Sequence, residues 1–117
     1  MSIQRTGGGP YSFSQSVVHG DTVYLAGQVA ADRAGKDVRE QIRMVFAQID
    51  DLLQQAGSDR SKMLNVTVLL ADIGDFGVLN EEWDGWVDDA TLPARATFQA
   101  PLALPDIRVE LVVTAAL

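Results

Sequence analysis

Between Asp37 and Ala56, apolar side chains recur at Val38, Ile42, Val45, Phe46, Ile49, Leu52, Leu53 and Ala56. Spacings of three and four place them on one stripe of a helix. Asp37 is positioned to cap its start, paired with Glu40 in a capping-box-like arrangement, and Gly57 to end it in the left-handed conformation. Elsewhere the pattern is that of strands. Phe13–Val18 and Thr22–Ala26 flank the turn His19-Gly20-Asp21, which predicts a hairpin. Leu64–Leu70 is a nearly continuous apolar run, expected of a strand buried on both faces near its end. Asp75 is read as the cap of a shorter helix from Phe76 to about Val87, with Phe76, Leu79, Trp83 and Val87 on one side. Ala94–Gln99 and Ile107–Ala115 are the last two strands, separated by the Leu104-Pro105-Asp106 turn.

The order β-β-α-β-α-β-β predicts an α+β fold. Strand–helix–strand crossovers build a mixed sheet with both helices on one face. The other face is then left uncovered, because 117 residues supply nothing more to lay over it, and self-association is expected. Residues 1–117 are expected to form one domain with a core large enough to stand without staples.

Composition removes several classes of chemistry. The chain has no cysteine, which excludes disulfides, thiolate metal sites and cysteine nucleophiles. His19 is the only histidine, so no multi-histidine metal centre can form. A formal net charge of -7 gives no counterion-release energy against a polyanion, and nucleic acid is not expected as a partner. No apolar run approaches the roughly 18 residues of a membrane span, and a cytoplasmic location is expected. The one glycine cluster, Gly7-Gly8-Gly9, lacks the third glycine of a dinucleotide fingerprint because Ser12 stands there, and no strand is expected before it. Gly35-Lys36 fails as a phosphate loop, with Ala30 and Asp37 at the positions that need glycine and a hydroxyl residue.

Two side chains stand out as candidate chemistry. Arg95 follows Pro93-Ala94 at the start of a strand; its planar fork matches a carboxylate, though a solvated surface arginine would read the same way. Glu110 lies among branched aliphatics and shares a strand face with Arg108 and Val112. It could serve as a general base if buried, or could be a cross-strand ion-pair partner or lie on an exposed face. Asp72, Asp75, Glu81, Glu82, Asp84, Asp88 and Asp89 are read as a solvated, dipole-favouring helix surface rather than a metal site, since the spacing lacks the alternating ligands of a calcium loop. Trp83 and Trp86 are read as packing residues, and His19 as a solvated turn residue.

Taken in order, these segments resemble the Rid family of reactive-intermediate (imine/enamine) deaminases, also called YjgF-type. The resemblance is carried by Gly9-Pro10-Tyr11-Ser12, Ser14-Gln15-Ser16-Val17 and Gly20-Asp21-Thr22-Val23-Tyr24-Leu25-Ala26-Gly27-Gln28. It continues through Gln54-Gln55-Ala56-Gly57, then Asp75-Phe76 with Val78, Asn80 and Trp83, and finally Pro93-Ala94-Arg95-Ala96, Leu104-Pro105 and Val109-Glu110-Leu111.

The resemblance implies a chorismate-mutase-like fold, three subunits packing their sheets into a barrel, and ligand sites in the clefts between them. It implies hydrolysis of 2-imino acids to 2-keto acids and ammonia, with neither cofactor nor metal. Arg95 would clamp the substrate carboxylate and Glu110 would orient or activate the water. Asn80 would line the cleft, Gly27 would form its wall, and Thr97 stands where the family usually has cysteine. Ala26 replaces the family serine before Gly27-Gln28. Either Tyr11 or Phe13 takes the family tyrosine position. One additional residue between Arg95 and Leu104-Pro105, with Pro101 nearby, predicts a bulge or an altered loop. A carboxylate-binding or chaperone-like protein without catalysis is the alternative, and a ribonuclease or translation inhibitor the weakest, given the charge.

Overall fold

The capping box expected at Asp37 forms. In a computed structural model describing all 117 residues, the Asp37 carboxylate accepts from Glu40 N at 2.9 Å, and Glu40 Oε1 accepts from Asp37 N at 3.3 Å. Helix α1 (Val38–Gln55) follows. Gly57, at φ 88°, then closes a Schellman turn, with Gly57 N donating to Gln54 O and Ser58 N to Leu53 O. The stripe Ile42, Val45, Phe46, Ile49 and Leu53 is buried, as its spacing requires.

Six strands form one sheet: β1 (Ile3–Thr6), β2 (Ser16–His19), β3 (Thr22–Leu25), β4 (Met63–Leu70), β5 (Ala94–Gln99) and β6 (Val109–Ala116). Their spatial order is β1-β2-β3-β6-β4-β5, with β4 and β5 parallel and all other pairs antiparallel. The second helix, α2 (Phe76–Asp84), makes the crossover between the parallel pair. The core lies between the helices and one sheet face, where Val23, Val66, Val68, Leu70, Val109, Leu111, Val113 and Ala115 are buried.

Several sequence expectations need correction. A strand does precede the glycine cluster: β1 is exposed and carries no hydrophobic alternation, so only its pairing to β2 reveals it. The dinucleotide fingerprint still fails, on Ser12 and on the strand that follows the loop in place of a helix. Phe13–Gln15 is not part of the second strand. Gly7 and Gly9, at φ 74° and 48°, reverse the chain there, and Gln15 N closes the loop onto Thr6 O at 2.8 Å. Asp75 does not cap α2; its carboxylate is taken by Arg108 at 2.7 Å, while Asp72 caps the short turn before the helix. α2 stops at Asp84 rather than Val87, because Gly85 releases the chain and Trp86 turns back to stack on Phe46 at 4.0 Å. β5 pairs through Gln99 without a bulge, so the additional residue sits in the loop between β5 and β6.

The acidic stretch is more structured than a solvated face. Glu82 bridges Arg39 and Arg43 of α1, at 3.0 and 2.8 Å, and Glu81 pairs with Arg39 at 2.7 Å. These contacts tie α2 to α1. No helix is long and apolar enough to cross a membrane.

Candidate active site

Strand alternation sorts the candidate residues onto two faces. Arg95 pairs in the ladder with Val66, which is buried beneath the helices, so Arg95 and Thr97 point to the helix side. Glu110 pairs with Leu69, on the opposite face. The open face also carries Tyr24, Phe98 and Val112, at 49%, 48% and 38% exposure. One chain therefore presents Arg95 and Glu110 to opposite sides of its sheet.

On the helix side, α2 meets Arg95 with three side chains one helical face apart, at positions 76, 80 and 83. Asn80 Oδ1 accepts from Arg95 NH2 at 2.8 Å. The Trp83 ring lies 4.9 Å from the guanidinium carbon and the Phe76 ring 5.9 Å. No carboxylate reaches Arg95. Of the seven arginines in the sequence, Arg33, Arg39, Arg43, Arg60 and Arg108 each pair with an acid, and Arg5 is exposed. Arg95 is left half-buried with its charge uncompensated, which is the state of a guanidinium ready for an anion. On the same face, Thr97 Oγ1 is buried without a hydrogen-bond partner.

On the open side, Glu110 lines a groove of about 670 Å³ with Phe13, Ala26, Gly27, Val29 and Ile107 among its walls. Gly27 leaves room there for the carboxylate: a Cβ at that position would overlap Glu110 Oε2, the end of a flexible side chain, and lie 3.0 Å from its Cδ. The segment is held by a two-way backbone bridge between Gln28 and Leu111, at 2.8 and 3.1 Å. Gln28 is buried, and its side chain links Gln15 of the glycine loop to Gln48 of α1 at 3.1 and 3.2 Å. Neither lysine nor arginine pairs with Glu110, so the cross-strand ion pair weighed from the sequence does not form within the chain.

The sequence candidates thus divide into Arg95, Asn80 and Thr97 on one side, and Glu110, Gly27 and Phe13 on the other. Phe13 rather than Tyr11 lines the Glu110 groove; Tyr11 stacks on Phe13 at 5.4 Å and lines the adjoining depression. The sequence reads Trp83 as a packing residue and sets Phe76 with it on one side of a helix; both face Arg95. The spacing of Phe76, Asn80 and Trp83 was visible, but not that this face meets β5.

Residues 8–117 match the family described as Endoribonuclease L-PSP. The chain is 39% identical over 105 residues to a RutC family protein of Haemophilus ducreyi, covering 90% of this chain and 89% of that one. It is 32% identical over 105 residues to the 2-iminobutanoate/2-iminopropanoate deaminase of Rattus norvegicus, covering 86% and 76%. A crystal structure of a YjgF family member from Neisseria meningitidis superposes with a TM-score of 0.93 at 38% identity, over 99% of this chain and 95% of that one.

Proposed function

The chain belongs to the endoribonuclease L-PSP family, the YjgF or Rid family, and on that premise we propose that it hydrolyses 2-imino and enamino acids to 2-keto acids and ammonia. The observation that carries this reading is Arg95: a half-buried guanidinium with no acid partner, held by a neutral amide and two aromatic faces. Such a group binds a carboxylate through two parallel N–H donors. Glu110, unpaired beside Gly27, supplies the base.

The chemistry follows from those two groups. Arg95 fixes the carboxylate next to the C=N carbon. Glu110 accepts a proton as the water oxygen bonds to that carbon, the C=N π pair moves to nitrogen, and Glu110 then gives that proton to the nitrogen. The resulting carbinolamine collapses: Glu110 takes the hydroxyl proton and passes it to nitrogen, C=O forms, the C–N bond breaks, and nitrogen departs as ammonia.

Because Arg95 and Glu110 face opposite sides of one sheet, joining them at one substrate calls for two copies of the chain. The exposed Tyr24, Phe98 and Val112 on the open face favour that assembly, and a homotrimer with clefts between subunits satisfies both requirements. The net charge of -7 argues against the ribonuclease reading contained in the family's description.

The test is release of ammonia and 2-oxobutanoate from freshly generated 2-iminobutanoate, above the buffer rate, alongside light scattering near three times 12.6 kDa. Arg95→Ala should lose roughly 2–4 kcal/mol of transition-state binding, with Arg95→Lys between it and wild type. Wild-type protein that leaves the imine untouched removes the deaminase reading. A stable monomer removes the shared cleft.

A further inference from the structure

Trp83 is buried, at 7% exposure, and would pass for core filling. Its surroundings suggest a narrower task. Phe46 and Trp86 meet it edge-on, with ring centroids 6.4 and 5.8 Å away at 66° and 69°, and stack on each other at 5°. Trp86 is itself pinned: its indole N–H donates to Asp50 at 3.2 Å, and its carbonyl accepts from Arg60 at 2.8 Å. The orientation of the Trp83 ring is therefore set from α1 outward. That ring carries the Arg95 guanidinium at 4.9 Å.

We infer that Trp83 is the positioning residue of Arg95, aiming its guanidinium at the substrate carboxylate through a cation–π contact. This rests on the deaminase reading above. The electronic logic is specific. An acid in place of the ring would hold the guanidinium more strongly but would occupy its donor fork and cancel its charge. An indole face attracts the cation through its quadrupole and takes no N–H donor. Asn80 takes a hydrogen from one terminal nitrogen only, so the remaining N–H groups stay available for a carboxylate. The chain from Asp50 and Arg60 through Trp86 and Trp83 to Arg95 thereby links α1 to a residue on the edge strand β5.

The test compares Trp83→Leu, Trp83→Phe and the core variant Ile49→Ala, which touches neither Arg95 nor its donor fork, using 2-oxobutanoate as the titrated carboxylate and 2-iminobutanoate as the substrate. Trp83→Leu should weaken 2-oxobutanoate binding and raise KM by roughly tenfold, with kcat changing far less. Trp83→Phe should recover most of the affinity because it restores a π face. Ile49→Ala should lower Tm and leave affinity at the wild-type value. A folded Trp83→Leu that binds like wild type overturns the proposal, as does an Ile49→Ala that loses as much affinity as Trp83→Leu.

Should Trp83→Leu not fold, the wild-type Arg95 guanidinium protons decide by NMR. Ring-current displacement supports the contact, and resonances at free-arginine positions overturn it. Wild type that binds 2-oxobutanoate but hydrolyses no imine removes the deaminase reading and leaves this positioning intact. Wild type that hydrolyses imine while Trp83→Leu keeps its KM does the reverse. Absence of carboxylate binding by wild type overturns both.

Discussion

Around Arg95 the constraints are side chains: Asn80, Phe76 and Trp83, all on α2, meet the guanidinium from one helical face. Around Glu110 the constraint is main chain. Gly27 clears the space for its carboxylate, and the Gln28–Leu111 bridge holds that strip of backbone against β6. The difference predicts different sensitivities. The arginine end tolerates small backbone adjustments and depends on which side chains α2 presents. The glutamate end has no side-chain partner to lose, yet one added methyl group on its wall displaces the carboxylate.

The largest effect should come from Glu110→Gln, which keeps shape and removes the base. Hydrolysis is expected to fall by about 10²–10⁴-fold, while 2-oxobutanoate still binds at Arg95. Loss of binding together with loosened assembly would instead make Glu110 an ion-pair partner between chains. Gly27→Ala should come next. The atom in its way is the end of a flexible side chain, so Tm should barely move, but the displaced carboxylate should cost roughly 10–100-fold in kcat. Combining it with Glu110→Gln should add little further loss, since both act on the same group. A large fall in Tm with unchanged kcat would erase the contrast between the two ends.

The smallest effect concerns the brace that holds α2 in place. Glu82 is held below the usual carboxylate range by Arg43 and then Arg39, against an opposing push from burial. A depressed folded pKa stabilises the protein above the unfolded pKa, near 4.3, and that contribution disappears as pH falls through the folded value. Thermal melts between pH 5 and about 3 should therefore show a fall of a few degrees that is blunted in Glu82→Gln and reduced by salt. An identical pH profile in Glu82→Gln would show that the brace contributes nothing.

Periodicity and local chemistry sufficed for α1 with both its caps, for β3 to β6 to within a few residues, and for both helices on one face, whereas Arg95 and Glu110 rise above ordinary surface and ion-pair residues only through the resemblance to a family. Those features depend on neighbours close in sequence: a 3.6-residue stripe, a strand alternation, an Asp–Glu capping pair, a glycine after the last helical turn. What sequence left undecided depends on partners far along the chain. β1 is a strand only because β2 pairs with it, and Asp75 leaves its capping role only because Arg108 arrives from the far side of β5. The ladder register sends Arg95 and Glu110 to opposite faces, a matter of one residue's parity that local pattern does not fix between strands. Trp83 packs in the core as expected and also meets a guanidinium, because α2 crosses over β5 with that face inward, a geometry set by the core as a whole.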